Sequence, residues 1–292
     1  MARWISETFH PDWRPSMRAD RILHEVETKH QHLIIFENAF WGKVLILDGV
    51  FQLTTKDEFV YHEMMAHIPM MALERPRDVL IVGGGDGGIL REVLKHPSVQ
   101  SATLVEIDQE VIDTSTTYYP EIGKSAFADK RTNVVIADGL AYVAQTADRF
   151  DVVIADSSEP IGPSAVLHSN KFYSDCKRIL RSDGIFVSQT SLPFHTPGHL
   201  SSNIQLLSPL YDLATAYTFT HPSYFGGEFC VSWASDCREH LDVATATLAG
   251  RATTRNISTQ YWTPALHAAA FALPAYMNAI IDKASSKSEP QN

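Results

Sequence analysis

Five runs of aliphatic and β-branched residues, each separated from the next by helical sequence, constrain the fold of this chain more than any other feature. They begin at Asp78 and read, in order, "DVLIV", "SATLVEID", "NVVIADG", "FDVVIAD" and "GIFVSQT". Strands of continuous apolar character are typical of a parallel sheet buried on both faces, because strict alternation is expected only where one face meets water. The sequence from residue 78 onward therefore predicts a doubly wound α/β domain.

The sequence on either side of this region has antiparallel character. Residues 21–55 contain β-favouring runs broken by "ENAFWGK" and "LDG", which predict the hairpins of a small sheet. Residues 57–73 have apolar positions at helical spacing, and "ATAYTFT" with "EFCVSWAS" predicts two paired strands. We expect an N-terminal β domain over residues 1–68 and an α/β domain with an antiparallel edge over residues 69–292.

Charge and composition exclude several classes of protein. A formal net charge of −10 without a Lys/Arg-rich stripe makes nucleic acid and anionic membranes poor partners. The N-terminal "MARWISETFHPDW" lacks the apolar core of a signal peptide, and we expect a cytoplasmic protein that does not cross a membrane. Cys176, Cys230 and Cys237 form no CxxC pair, so we expect neither a disulfide framework nor a metal site.

The stretch "VLIVGGGDGGILREV" runs from the first strand of the α/β region into a helix. Gly83, Gly85 and Gly88 satisfy G-x-G-x-x-G, and Glu106 stands at the distance expected of a ribose-binding acid. Asp86, however, would lie beside the phosphates of a dinucleotide, and two like charges about 4 Å apart repel by roughly 4 kcal/mol at an effective dielectric constant of about 20. The loop therefore favours a cationic nucleoside without phosphates, such as S-adenosylmethionine or a relative. The alternative is that Asp86 only caps the following helix.

Acidic residues also follow three further strands. Glu106 in "LVEID" is placed to accept hydrogen bonds from ribose hydroxyls, and Asp138 in "IADG" from an adenine amino group. Asp156 ends the strand in "VVIADSSEP". Because the carboxyl ends of parallel strands share one edge of a sheet, we expect these acids to meet at a single ligand site.

At this point the residues match a known family over nearly the whole chain. The matching segments are "HQHLIIFEN", "LDGVFQLTTKDEFVYHEMMAHIP", "VLIVGGGDGGILREVLKHPSV", "VEID", "ADG", "FDVVIADSSEPIGP", "SYFGGEF" and "PALHAAAFALP". In this ordered series the chain resembles the spermidine synthases, which are polyamine aminopropyltransferases. The resemblance implies a Rossmann-like methyltransferase core, decarboxylated S-adenosylmethionine as co-substrate, and a diamine acceptor, usually putrescine. The expected products are spermidine and methylthioadenosine, with no permanently bound cofactor.

The resemblance also assigns roles to individual residues. It implies that the donor's nucleoside is held by Gln31, Glu106, Asp138, Gly139 and Pro163, beside the glycines Gly83 and Gly85. Asp86 and Asp156 correspond to the acids that bind the donor's propylamine group, and Asp156 corresponds to the base. Tyr61 and Tyr224 correspond to hydroxyls that line the amine channel, and His62 and Glu159 to residues that contact the polyamine.

Departures from the family pattern leave the acceptor open. Glu159 stands where an aspartate is usual and could shorten the channel, which would favour 1,3-diaminopropane; cadaverine is a further alternative. The other departures are His24, His32, His168, Ser16 and Met17. A methyltransferase that uses S-adenosylmethionine and a non-catalytic polyamine-binding homologue are the remaining alternatives. The resemblance implies a homodimer or homotetramer, with the N-terminal β segment as the contact and as a cover for the amine site.

Overall fold

The N-terminal part of the chain folds into two small antiparallel sheets. The computed structural model describes residues 3–157 and 166–286, so the predicted site residues Glu159 and Pro163 lie outside the described residues. The N-terminal strands are β1 (Arg3–Ser6), β2 (Ser16–Ala19), β3 (Arg21–Glu27), β4 (His32–Asn38), β5 (Gly42–Leu47) and β6 (Val50–Thr54). Strands β1 and β2 form a ribbon, and β3 to β6 form a meander in chain order.

Helix α1 (Glu58–Ala72) connects the N-terminal sheets to the α/β region. Most of its residues are buried, because it packs against the large sheet of the α/β region and against neighbouring helices on its other sides. The predicted boundary between residues 68 and 69 lies within α1 and stays a prediction.

A mostly parallel sheet forms the rest of the core. Its strands are β7 (Asp78–Gly83), β8 (Ser101–Glu106), β9 (Thr132–Ile136), β10 (Phe150–Asp156), β11 (Leu180–Gln189), β12 (Leu213–Thr220) and β13 (Glu228–Ser235). In the described part of the chain these seven strands lie in the order β12-β13-β11-β10-β7-β8-β9, and the antiparallel pairings are those of β13 with β11 and with β12. The predicted fold class, including the antiparallel edge, is confirmed.

Helices cover both faces of this sheet. They are α2 (Gly88–Leu94), α3 (Gln109–Tyr118), α4 (Pro120–Phe127), α5 (Gly139–Gln145), α6 (Asn170–Ile179), α7 (Pro197–Leu207), α8 (Thr245–Arg255), α9 (Pro264–Ala270) and α10 (Ala275–Ser286), with a 3-10 turn at Arg238–His240. Because helices cover both faces, the central strands are buried almost throughout, as their unbroken Val/Ile character requires.

The N-terminal meander packs directly on the α/β domain. Leu33 and Leu45 of the meander are buried against Val111 of α3 and Ile122 of α4. These apolar contacts hold the meander over the carboxyl ends of the parallel strands. The order of strands reverses there between β7 and β10, and a crevice at such a point is the usual ligand site of open α/β sheets.

Among the described residues, no single helix is long and apolar enough to cross a membrane. Helices α9 and α10 reach that length and composition only when taken together, and they are bent by 58° at their junction.

Candidate active site

A cavity opens between the N-terminal meander and the carboxyl ends of the parallel strands. All the predicted site residues that the structure describes line it: Gln31, Tyr61, His62, Gly83, Gly85, Asp86, Glu106, Asp138, Gly139, Asp156 and Tyr224. The meander contributes a wall of the same cavity through residues such as Leu45, Phe51 and Gln52. The site is therefore built by both parts of the chain.

Glycines bring the first loop of the α/β domain close to strand β10. Gly83 lies opposite Asp156 in the pairing of β7 with β10, and an added Cβ there would lie 1.9 Å from the Asp156 carbonyl oxygen. Gly83 and Gly84 also have φ values of +86° and +71°, which L side chains rarely adopt. Because no side chain separates the two strand ends, the Asp156 carboxylate stands directly beside the loop that carries Asp86.

Asp86 is held from two sides by groups of the protein. Its Oδ1 accepts a 2.6 Å hydrogen bond from the Gly88 amide and lies 3.2 Å from Nε2 of His62. Asp86 therefore accepts from the first amide of helix α2, but it is not the N-cap residue that the alternative interpretation predicted, because that position is Gly87 and α2 has no side-chain N-cap hydrogen bond. Both contacts use Oδ1, and Asp86 is among the residues that line the cavity. These contacts are thus compatible with ligand binding through Oδ2.

His62 is a buried imidazolium between two carboxylates. Its Nδ1 donates a 2.5 Å hydrogen bond to Glu58, and its Nε2 faces Asp86. Burial alone would lower the pKa of His62, but the adjacent Asp86 and Glu58 carboxylates outweigh that effect and raise it to about 10. Burial opposes ionisation of Glu58 too, yet His62 and Arg91 hold its pKa at about 2. Glu58 and Arg91 were not identified from the sequence.

Asp156 has an unusually basic carboxylate. Its Oδ1 accepts a 2.5 Å hydrogen bond from the hydroxyl of Tyr61. Burial, followed by repulsion from Asp86, raises the pKa of Asp156 to about 7, although the Tyr61 hydrogen bond and the His62 charge act in the opposite direction. Burial also raises the pKa of Tyr61 well above its ordinary value, so its phenol stays protonated and donates. A buried carboxyl that titrates near neutrality is suited to accept a proton.

On the other side of the loop, acids and an amide form a polar wall. Glu106 is buried, and burial raises its pKa to about 7 although backbone amides of residues 107 and 108 stabilise its charge. An added Cβ at Gly85 would lie 2.8 Å from Glu106 Oε2, so the glycine gives the carboxylate room. Gln31 donates a 3.1 Å hydrogen bond to Asp108, and Asp138 caps helix α5 through the Ala141 amide.

Aromatic rings form the wall on the Asp156 side. Tyr61, Tyr224 and Phe229 pack edge to face or tilted, with centroids 5.2 to 6.1 Å apart. The Tyr224 hydroxyl donates a 2.6 Å hydrogen bond to the Gln52 carbonyl of the meander. His221 stacks on Tyr224 at 3.9 Å and also lines the cavity. Sequence reasoning missed His221, because a lone histidine after a strand has no motif.

The family departures at Ser16, Met17, His24 and His32 do not line this cavity. Met17 is buried in the N-terminal core, and His24 lies 3.4 Å from Glu110 on α3. His168 is closer, because its Nε2 lies 3.2 Å from the hydroxyl of Ser157, which lines the cavity beside Asp156. Among residues 3–157 and 166–286, no group of three or more His, Cys, Asp and Glu side chains is arranged to hold a metal ion.

Comparison with known proteins assigns this chain to a family. Residues 58–243 match the family model described as the spermine/spermidine synthase domain, and residues 3–55 match the model described as the spermidine synthase tetramerisation domain. The chain belongs to the spermine/spermidine synthase family.

Relatives align along nearly their entire length. A polyamine aminopropyltransferase of Ruegeria sp. (strain TM1040) is 43% identical over 94% of this chain and 96% of its own. Polyamine aminopropyltransferase 1 of Pseudomonas aeruginosa is 44% identical over 95% of this chain and 97% of its own.

Solved structures of this family have the same fold. A spermidine synthase in complex with the transition-state analogue AdoDATO superposes with a TM-score of 0.91, at 33% identity and with 97% of each chain covered. The spermidine synthase from Thermotoga maritima gives a TM-score of 0.88 at 33% identity, over 97% of this chain and 96% of that one. The predictions of a polyamine aminopropyltransferase and of decarboxylated S-adenosylmethionine as co-substrate are confirmed.

Proposed function

We propose that this enzyme transfers the aminopropyl group of decarboxylated S-adenosylmethionine to putrescine, giving spermidine and methylthioadenosine. One observation carries the proposal. Asp156 ends strand β10, and Asp86 lies in the loop that follows the paired strand β7. Both line the same cavity, where their negative charges would repel a phosphate. Such a pair suits a donor with a sulfonium and an ammonium group, together with an amine acceptor.

The polar wall would hold the nucleoside part of the donor. In this assignment Glu106 accepts from the ribose hydroxyls, and Gln31, Asp138 and Gly139 contact the remainder of the nucleoside, as does Pro163 of the segment outside the described residues. Asp86 binds the donor's ammonium through Oδ2. A donor that keeps its carboxylate would be repelled there, which makes Asp86 the filter against S-adenosylmethionine itself.

Asp156 would act as the base. The attacking nitrogen forms a bond to the methylene carbon next to sulfur, the carbon–sulfur bond breaks, and the sulfonium leaves as a neutral thioether. The proton lost by the nitrogen goes to the Asp156 carboxylate. An amine resembles lysine, so its deprotonation at pH 7 costs about 4–5 kcal/mol, and a base beside the nitrogen removes much of that barrier. Positioning of nitrogen, carbon and sulfur in line supplies further acceleration.

The aromatic wall would guide the acceptor. Tyr61 and Tyr224 line the side of the cavity next to Asp156, so the alkyl chain of a diamine lies against their rings while one nitrogen reaches the base. His62 and Glu159 are the predicted contacts of the amine groups, and Glu159 lies outside the described residues.

We also propose a cytoplasmic homo-oligomer, a dimer or a tetramer, that assembles through the N-terminal sheets. The match of residues 3–55 to a tetramerisation domain supports this. Trp4 and Phe40, each 63% exposed in the single chain, supply apolar surface for such a contact. Light scattering that gives the mass of one chain of 32.5 kDa would contradict it.

The experiment offers the wild-type enzyme 1,3-diaminopropane, putrescine, cadaverine and spermidine in turn, each with both donors, and identifies products by mass. We expect methylthioadenosine and an aminopropyl gain, with putrescine giving the highest kcat/KM and S-adenosylmethionine giving little product. A methyl gain with release of S-adenosylhomocysteine would show a methyltransferase instead. A preference for 1,3-diaminopropane or cadaverine would overturn the assignment of putrescine as acceptor but not the reaction type. If no pair of donor and amine gave a product, the protein would be a non-catalytic polyamine-binding homologue.

A further inference from the structure

His221 occupies a position in the cavity wall to which neither the sequence pattern nor the resemblance assigns a role. It follows strand β12 directly, is 2% exposed, and lines the same cavity as Asp156. Strands β8 and β9, which lead to the nucleoside acids, lie on one side of β10 in the sheet, and β12 lies on the other. His221 therefore approaches the cavity from the side opposite to the nucleoside wall.

The Nδ1 edge of the His221 ring is fixed by contacts within the protein. Its Nδ1 lies 3.6 Å from Oδ2 of Asp57 and 3.3 Å from the hydroxyl of Ser223. Ser223 donates its own hydroxyl hydrogen to Oδ1 of Asp57, so the serine oxygen is free to accept from Nδ1–H. The Tyr224 ring, stacked at 3.9 Å with an interplanar angle of 24°, holds the plane of the imidazole. The hydrogen is thus placed on Nδ1.

The other nitrogen carries a lone pair without a partner. Nε2 of His221 is buried, and no hydrogen-bond donor reaches it among the described residues. The two phenols beside it cannot serve, because Tyr61 donates to Asp156 and Tyr224 donates to the Gln52 carbonyl. A buried acceptor left in this state costs about 1–3 kcal/mol, and a ligand N–H would satisfy it.

We propose that Nε2 of His221 accepts a hydrogen bond from an amino group of the acceptor, and that His221 is a specificity-determining residue on the acceptor side of the cavity. This inference rests on the proposed function. The acceptor amine is the ligand class that fits, because it brings N–H donors to the wall formed by Tyr61 and Tyr224, whereas the nucleoside is held across the cavity.

The charge state of His221 agrees with an acceptor role. Burial is the largest influence and lowers its pKa to about 4, against the attraction of Asp57 and with further lowering by the nearby His62 imidazolium. A neutral imidazole can accept from an ammonium group without repelling it. The groups that face it, Asp57, His62 and Glu58, supply two negative charges and one positive charge.

The test compares His221→Leu and His221→Gln with the wild type by steady-state kinetics. The glutamine amide oxygen can take the place of Nε2, and leucine offers no acceptor. We expect His221→Leu to raise the diamine KM about 10-fold or more, the strength of a hydrogen bond to a charged donor. We expect the donor KM to change less than about twofold and glutamine to restore most of the loss. Thermal stability should change little, since leucine removes the unpartnered Nε2 together with the Nδ1 contacts to Ser223 and Asp57.

His267→Leu is the matched control. His267 is also 2% exposed and also has an Nε2 without a partner among the described residues, but it lies outside the cavity wall. Its replacement should leave the diamine KM unchanged. Calorimetric titration of putrescine into enzyme saturated with methylthioadenosine gives a second readout that needs no turnover, and the leucine variant should bind about 10-fold more weakly.

Two failures are distinguishable. If the wild type makes methylthioadenosine from a diamine while His221→Leu keeps both its diamine KM and its putrescine affinity, this inference is wrong and the proposed function stands. An equal loss with glutamine and leucine would also overturn it, because the ring would then be needed only for packing. If the wild type transfers nothing to any amine, the proposed function fails and this inference fails with it.

Discussion

The hydroxyl of Tyr61 donates a hydrogen bond of 2.5 Å to Oδ1 of Asp156, joining the buried helix α1 to the end of strand β10. This contact stabilises the ionised carboxylate and acts against the burial and the Asp86 charge that raise its pKa to about 7. The basicity of Asp156 is therefore set by named neighbours, each of which can be altered separately.

Tyr61→Phe should shift the pH profile of kcat/KM toward higher pH. In the wild type we expect kcat/KM to fall as pH decreases through about 7, because Asp156 takes up a proton and can no longer act as a base. Loss of the Tyr61 hydrogen bond raises the pKa of Asp156 further, so the pH at which kcat/KM begins to fall also rises. Tyr276→Phe, at an exposed position away from the cavity, is the control and should reproduce the wild-type profile. An unshifted limb in Tyr61→Phe would contradict the assignment.

Asp86→Asn should have the opposite effect on the same profile. The Asp86 carboxylate raises the pKa of Asp156, so its neutral replacement lowers that pKa and moves the acidic limb to lower pH. We also expect the KM for decarboxylated S-adenosylmethionine to rise about 10- to 100-fold with the loss of a charge-assisted contact. The preference for the decarboxylated donor over S-adenosylmethionine, measured as the ratio of their kcat/KM values, should shrink. If the wild type used both donors equally well, Asp86 would not select between them.

Asp156→Asn should reduce turnover by at least about 100-fold and leave methylthioadenosine affinity nearly unchanged. The same variant should be more stable than the wild type at pH 8. The folded-state pKa of about 7 exceeds the ordinary value of 3.8, so wild-type stability falls as pH rises from about 4 through 7, while the asparagine variant lacks this loss. The gain at pH 8 is on the order of 4 kcal/mol at most and disappears near pH 4. Denaturant unfolding at pH 8 and at pH 4 measures this stability difference. If Asp156→Asn turned over as fast as the wild type, Asp156 would not be the base.

Gly88→Ala should be harmful although alanine favours helices. An added Cβ at Gly88 would lie 2.1 Å from the His62 ring, so either the imidazole or the loop must move. Either movement disturbs the contact between His62 and Asp86. We expect a loss of activity of about 10-fold or more and a drop in unfolding free energy of about 1–3 kcal/mol. Gly250→Ala is the matched control, since nothing lies within 4 Å of its Cβ position and it stands on helix α8. That variant should gain about 0.5–1 kcal/mol.

The architecture and the acidic residues were accessible from sequence because each depends on short-range pattern. Unbroken Val/Ile strands predict a parallel sheet, and Asp86, Glu106 and Asp156 follow from their places at strand ends, since all such ends share one edge. The prediction of antiparallel pairing for the last two strands was also correct, because a short glycine-containing connection favours it.

Contacts between segments distant in sequence could not be predicted in the same way. The approach of Glu58 and Asp86 to the two nitrogens of His62 depends on how α1 packs against α2. His221 meets Asp57 only because the chain after β12 returns to the start of α1, 164 residues away by number. The types of these residues do not reveal that they are close in space. The sequence therefore indicated which charged residues form the site but not which of them contact one another.

The His62 imidazolium has a consequence for the end of the catalytic cycle. Asp86 is accompanied by a cation of the protein before any substrate arrives. In the proposed mechanism, the ammonium that Asp86 holds becomes part of the polyamine when transfer is complete and departs with it. A carboxylate without a counter-ion of the protein would bind this product more strongly, whereas Asp86 keeps its contact with His62. We therefore propose that the pair that receives the donor also lowers the barrier to product release.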